Sequence, residues 1–192
     1  ASKNGLKPSL VRLHRMTVPE HVAEFWKTFA ASVGGVEDKR FYEAFSFGDG
    51  EELADSLAEL VLRGTKRATA GSVWHFEAEG KRLPAAGDLS IVTAWSGKPL
   101  CVIETQSVEA VPFNEVSAEF AAAEGEGDGS LVFWQAAHRE YFTRECGAAG
   151  REFTESMLVA CERFVVVYQE LTGATCSAHA LILQTPRLTL RR

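Results

Sequence analysis

The chain has 192 residues, 46% of them hydrophobic and 24% charged, which describes one ordinary soluble domain with enough apolar material for a real core. Its formal charge of -6 argues against a broad basic nucleic-acid surface, and no apolar run approaches membrane-spanning length. Without an apolar leader at its start the sequence reads as cytoplasmic, and Cys101, Cys146, Cys161 and Cys176, at neither C-x-x-C nor zinc-ligand spacing, read as reduced thiols.

Residues Ala1 to Arg15 carry Lys3, Lys7, Arg12 and Arg15 with little apolar periodicity, and read as a basic arm. Thr17-Val18-Pro19-Glu20 has the form of a capping box with proline in the first turn. Val22, Phe25, Trp26, Phe29 and Val33 follow at helical spacing until Gly34-Gly35. Residues 40–47 alternate as a strand, with Tyr42 on one face and Phe41, Phe45 and Phe47 on the other. A helix follows, capped by Asp49 with Glu52, and its buried stripe is Leu53, Leu57, Leu60 and Val61. Gly64 ends it.

Val73 to Phe76 reads as a short strand. Residues 89–95 and 100–105 form a hairpin across Ser96-Gly97-Lys98-Pro99, and its second strand can run on to Val111. Asn114 starts a short helix with Val116, Phe120 and Ala121 inward. Asp128 suits the N-cap of a longer helix whose apolar face holds Leu131, Trp134, His138, Tyr141 and Phe142. Met157 to Tyr168 is a strong last strand. The order of elements is that of an α+β domain around a small curved or barrel-like sheet, not a βαβ array.

Two stretches carry the chemistry. Gly64-Thr65-Lys66-Arg67-Ala68-Thr69 puts an amine and a hydroxyl three residues apart after a helix end. A lysine near its ordinary pKa of ~10.4 is no base at neutral pH, but desolvation or neighbouring cations such as Arg63 and Arg67 lower it. A neutral Lys66 can then take the hydroxyl proton of Thr69 and make it a nucleophile. The plain alternative is a solvated basic loop at a helix C-terminus.

The second stretch is Glu124-Gly125-Glu126-Gly127-Asp128. Crowded carboxylates push one pKa upward, which suits a general acid, and they also suit a hard cation, although the spacing fits no EF-hand loop. Glycines between them permit close approach by a ligand. The alternative is a polar loop with Asp128 capping a helix. His138 reads either as a base or as a hydrogen-bonded core histidine. Phe47, Trp74, Trp134 and Tyr141 can stack on a planar ligand such as a nucleobase, or simply fill the core. The fold is expected to bring the two stretches into one polar pocket.

These residues resemble a family. Gly64 to Thr69 looks like the G-x-K-x-x-T signature of ASCH-domain proteins, and Tyr42 to Asp49 resembles the opening strand of their larger bacterial branch. Glu124 to Leu131, followed by Trp134, His138 and Tyr141-Phe142, is similar to that branch's most specific run. The resemblance covers about residues 40 to 168 and sets the expected domain at 36–170, with an N-terminal basic arm and helix over 1–35 and a tail over 171–192. It implies a small PUA-like β-barrel with helices packed around it and a ligand cleft between barrel and helices.

Small members of the family remove the acetyl group from N4-acetylcytidine, using a lysine, a threonine and a downstream glutamate. Those roles fall on Lys66, Thr69 and, after the small-residue run 121–123, Glu124, with Glu126 as its neighbour. Phe47, Arg67, Trp74, Glu126, Asp128 and Ser130 are the expected substrate contacts. The small enzymes carry an arginine two positions after the threonine, where this chain has Gly71; Arg67 or Arg139 would have to replace it.

The expected function is therefore an amidohydrolase acting on an N4-acylated cytidine or related nucleoside, with no cofactor and no metal. Two alternatives stand beside it. One is a ribonuclease acting on single-stranded RNA, in which the acidic stretch holds a divalent ion. The other is a non-catalytic RNA- or nucleotide-binding module. The expected partners are a nucleoside or RNA, with no DNA and no membrane.

Overall fold

The computed structural model describes residues 17–170; the basic arm, the C-terminal tail and Cys176 lie outside the described residues. A 3-10 turn, Glu20–Val22, leads into α1, Ala23–Ser32. The remaining elements are β1 (Phe41–Phe45), α2 (Glu51–Leu62), β2 (Ala68–Ser72), α3 (Val73–Ala78), β3 (Leu89–Thr93) and β4 (Pro99–Pro112). α4 (Ala118–Glu124), α5 (Leu131–Ala148) and β5 (Leu158–Gln169) complete the chain. No helix among the described residues is long and apolar enough to cross a membrane.

The five strands form one mixed sheet in the order β1-β3-β4-β5-β2. β1 runs parallel to β3 and every other pair is antiparallel. The long β4 and β5 slip register between Val102 and Ile103 and again between Thr105 and Ser107. Such bulges bend and twist a strand pair, so the sheet curls. It does not close: β1 pairs only with β3 and β2 only with β5, and the closed barrel implied by the resemblance is replaced by an open, curled sheet. Side chains from both edges, Glu43, Phe45, Thr69 and Ser72 among them, line a cleft where a closing ladder would run.

Three apolar clusters fix the layers. On one side Val22, Phe25, Trp26 and Phe29 of the N-terminal helical segment sit against Phe41, Leu89, Ile91, Val102 and Tyr168. Each large side chain buried in this way contributes about 1.5–3 kcal/mol. α2 seals a second cluster through Leu57, Ala58 and Val61 over Val92, Ile103 and Phe164. α4 and α5 close the third, where Phe120, Trp134 and Phe142 surround Phe113.

Several local expectations change. The segment 73–78 is helical: a short apolar run with β-branched and aromatic residues does not distinguish strand from helix by its own pattern. Thr17 does not cap the first helical segment, which begins after Pro19 without a side-chain cap. Gly50, not Asp49, occupies the N-cap of α2. Leu53 does not join the buried stripe and is 43% exposed. Tyr42 and Phe41 are both buried, the Tyr42 hydroxyl donating to the carbonyl of Arg82 at 2.5 Å.

Candidate functional site

Lys66 reaches its place because α2 ends abruptly. Gly64 adopts φ +75°, and the amides of Thr65 and Lys66 both donate to the carbonyl of Leu60. This turns the chain inward instead of along the surface. The next peptide groups are tied down on two sides, Arg67 N–H donating to Ala123 and Phe164 N–H to the carbonyl of Arg67. Lys66 is therefore 1% exposed, an uncommon position for a lysine without partners.

Its partners come from the acidic loop. Lys66 Nζ donates to Glu124 Oε2 at 2.8 Å and to Glu126 Oε1 at 2.5 Å. Glu124 is the last residue of α4, and Gly125 closes that helix in the left-handed region at φ +65°. A Cβ at Gly125 would stand 2.8 Å from the carbonyl oxygen of Thr65. One at Gly127 would lie 2.4 Å from the Phe133 ring. The glycines do admit a close approach, but what approaches is the chain itself: Gly125 lets the two loops touch.

The electrostatics differ from those expected of a lysine base. Arg63 is exposed and pairs with Glu59, and the Arg67 side chain is exposed, so neither cation crowds Lys66. Burial opposes the ammonium charge, but Glu124 and Glu126 together outweigh it and raise the Lys66 pKa above its ordinary value. In the resting site Lys66 is an ammonium ion. Burial raises the Glu124 carboxyl, against the pull of Lys66 and His138. For Glu126, burial is outweighed by Lys66, and its carboxyl is held low. One cation is shared between two buried carboxylates, and Glu124 is the one whose affinity for a proton is raised. Its Oε1 is buried without a hydrogen-bond partner.

His138 completes the floor. Its ring stacks on Trp134 at 4.1 Å, and Nδ1 lies 3.0 Å from the carbonyl of Trp134. A carbonyl only accepts, so Nδ1 carries the proton and Nε2 faces Glu124 Oε2 at 3.6 Å. Phe47 covers Lys66, its ring centroid 5.3 Å from Nζ. Above these groups opens a cavity of about 350 Å³. Thr69 and Tyr141 line it, and Leu53, Leu57 and Phe133 make an apolar wall. No hydrogen bond joins Thr69 to Lys66; they share the cavity wall. Glu124, Glu126 and His138 place ligand-type atoms within 4.8 Å of one another, so they are the residues that would hold a cation. The ammonium of Lys66 already occupies the same two carboxylates.

The structure thus brings Lys66, Thr69, Glu124, Glu126 and Phe47 to one cavity and leaves four expected contacts outside it. Arg67 works through its backbone. Trp74 turns away with α3 into a different depression, under the guanidinium of Arg151 at 4.9 Å. Asp128 is exposed and accepts from the Ser130 amide at 2.9 Å. Ser130, not Asp128, caps α5 by accepting from Phe133 N–H at 3.1 Å. Arg139 is also elsewhere, paired with Glu155. Sequence reasoning missed Arg144, which lines the cavity and holds Asp49 at 2.8 Å, and the apolar wall of Leu53 and Phe133. The only signal for Arg144 was its helical spacing from Tyr141, three residues earlier.

Fold and site together define an α+β domain in which a buried lysine is clamped by two glutamates beside an open, curled sheet. The family model described as the ASCH domain matches residues 43–168, and the chain belongs to that family. An ASCH domain from Lactobacillus crispatus JV V101 is similar at 40% identity and a TM-score of 0.70, covering 80% of this chain and 98% of its own. A protein from Enterococcus faecalis V583, of the family model DUF984, is similar at 33% identity and a TM-score of 0.71, covering 77% of this chain and 88% of its own. A search of curated proteins gave no match.

Proposed function

We propose that this protein is an amidohydrolase that removes an acyl group from an N4-acylated cytidine or a related modified nucleoside. The observation that carries the reading is the partnerless, fully buried Glu124 Oε1 at the base of a cavity that also holds Lys66 and Thr69. A carboxyl whose affinity for a proton is raised by burial, set beside a cavity, suits a general acid for a leaving amine. The resting charge of Lys66 changes the first step. Substrate binding excludes water, and in a dry site the Lys66–Glu124 ion pair can neutralise by passing the lysine proton to the Glu124 carboxylate. Neutral Lys66 then accepts the Thr69 hydroxyl proton as the Thr69 oxygen attacks the acyl carbon. Protonated Glu124 gives its proton to the departing N4 amine, releasing cytidine. Water hydrolyses the threonine ester and regenerates the hydroxyl.

The ribonuclease reading has less support. A phosphate seeks unspent positive charge, and the charge of Lys66 is already divided between two carboxylates. The deciding experiment incubates folded protein with N4-acetylcytidine and follows cytidine by chromatography. Turnover above background that disappears in Lys66→Met is expected. Absence of turnover in folded protein overturns the reading.

A further inference from the structure

The gap between the two sheet edges is itself a cavity, of about 260 Å³. Phe47, Thr69, Ala70 and Tyr141 line both this cavity and the one above Lys66, so the two are ends of a single cleft. Gly71 is part of its lining, where a Cβ would come within 3.1 Å of the Phe76 ring.

The two ends differ in chemistry. Carboxylates dominate the second end, and its cations are already engaged. Lys81 Nζ lies 2.6 Å from Glu79 and 3.4 Å from Glu43. His75 lies 3.3 Å from Glu79 and 3.9 Å from Glu145. The hydroxyl of Ser72 donates to Glu145 at 2.7 Å, and that of Thr105 to Glu162 at 2.6 Å. What remains is hydrogen-bonding capacity, from carboxyl groups and from the N–H and C=O groups of strand edges that have no second partner. No unspent positive charge faces the space.

We propose that this second cavity is a sugar subsite, which takes the ribose hydroxyls of an unphosphorylated nucleoside on Glu43 and Glu162. The inference rests on the amidohydrolase reading. In an N4-acylcytidine the acyl amide and the glycosidic nitrogen leave opposite sides of the pyrimidine ring. An amide placed over Glu124 and Thr69 therefore points the sugar away from the Lys66 end. The aromatic rings of Phe47 and Tyr141, common to both cavities, flank the ring between them. Hydroxyl groups both donate and accept, and so match these carboxyl groups and strand edges; a 5′-phosphate brings negative charge into an acidic space with no free cation among the described residues to meet it.

The test measures kcat and KM of the full chain on N4-acetylcytosine, N4-acetylcytidine and N4-acetylcytidine 5′-monophosphate, with calorimetric binding of cytosine, cytidine and cytidine 5′-monophosphate alongside. The nucleoside is expected to exceed both the free base and the monophosphate by about tenfold or more in kcat/KM, the scale of one or two hydrogen bonds made or denied. Glu43→Gln and Glu162→Gln, each checked for folding by circular dichroism, are expected to raise KM for the nucleoside and to narrow its lead over both competitors. Hydrolysis of all three within twofold of one another, or an unchanged ratio in both folded variants, overturns the sugar subsite and leaves the amidohydrolase standing. Tighter binding of cytidine than of cytosine or the monophosphate, without hydrolysis of any acetylated compound, overturns the amidohydrolase and supports the subsite.

Discussion

The two long faces of the sheet use burial for different ends. Under α1, Trp26, Phe29, Phe41 and Tyr168 meet edge-on or tilted at 5.2–5.6 Å between centroids. Beneath α4 and α5 the structure encloses an ammonium and two carboxylates at the base of a cavity. The first region gains free energy from every atom it hides. The second tolerates a desolvation cost of several kcal/mol per ion, offset only by close pairing. Such a cost beside an open cavity is what the proposed chemistry draws on, and the contrast can be broken at either face.

Lys66→Met should have the largest effect. It removes the shared cation, lowers turnover of N4-acetylcytidine by roughly 10³-fold or more, and leaves two buried carboxylates uncompensated at about 3–5 kcal/mol in urea unfolding. Thr69→Ala separates the two consequences. It should abolish turnover to a similar degree while moving stability by only about 1 kcal/mol, because Thr69 is only half-buried and its hydroxyl makes no side-chain hydrogen bond among the described residues. Trp26→Ala is the converse: about 3–5 kcal/mol of lost stability, with the rate per folded molecule retained.

Glu162 sharpens the comparison through pH. Burial raises its carboxyl from 4.5 to about 7, assisted by the charges of Glu43 and Asp88 and opposed by the Thr105 hydroxyl. The folded state then holds a proton that the unfolded chain has released. This group's contribution is full below pH 4.5 and is lost as pH rises to about 7. The loss is on the order of 3 kcal/mol, and Glu162→Gln should flatten the fall in unfolding free energy across that window. The smallest effect belongs to Asp49→Asn, which frees Arg144 at the exposed rim. It should change stability by no more than about 1 kcal/mol, and a KM change for N4-acetylcytidine would be its main trace.

The sequence was most readable where one periodicity dominates. Val22, Phe25, Trp26 and Phe29 announced α1, and the Val- and Phe-rich run 157–168 announced β5 to within a residue or two. The long strand β4, reaching past Val111, was visible for the same reason. The convergence of Lys66 with the acidic loop was expected from the two stretches taken together with the family resemblance, although each alone had a plainer reading. The charge state of Lys66 did not, because it depends on carboxylates 58 and 60 positions away and not on Arg63 and Arg67 next to it. Trp74 was misplaced for a local reason: reading 73–76 as a strand instead of a helical turn sends the indole to the wrong side. The open sheet was equally hidden, since whether two edge strands meet is decided by the side chains between them.

The tie between Gly125 and Thr65 has a practical consequence. Half of the cavity floor is delivered before the exposed β3–β4 turn at Ser96-Gly97 and half after it. A chain divided at that turn would carry the amine and alcohol on one fragment and the acids on the other, so recovered turnover would report reassembly of the two pieces, making the domain a natural starting point for a split-enzyme sensor.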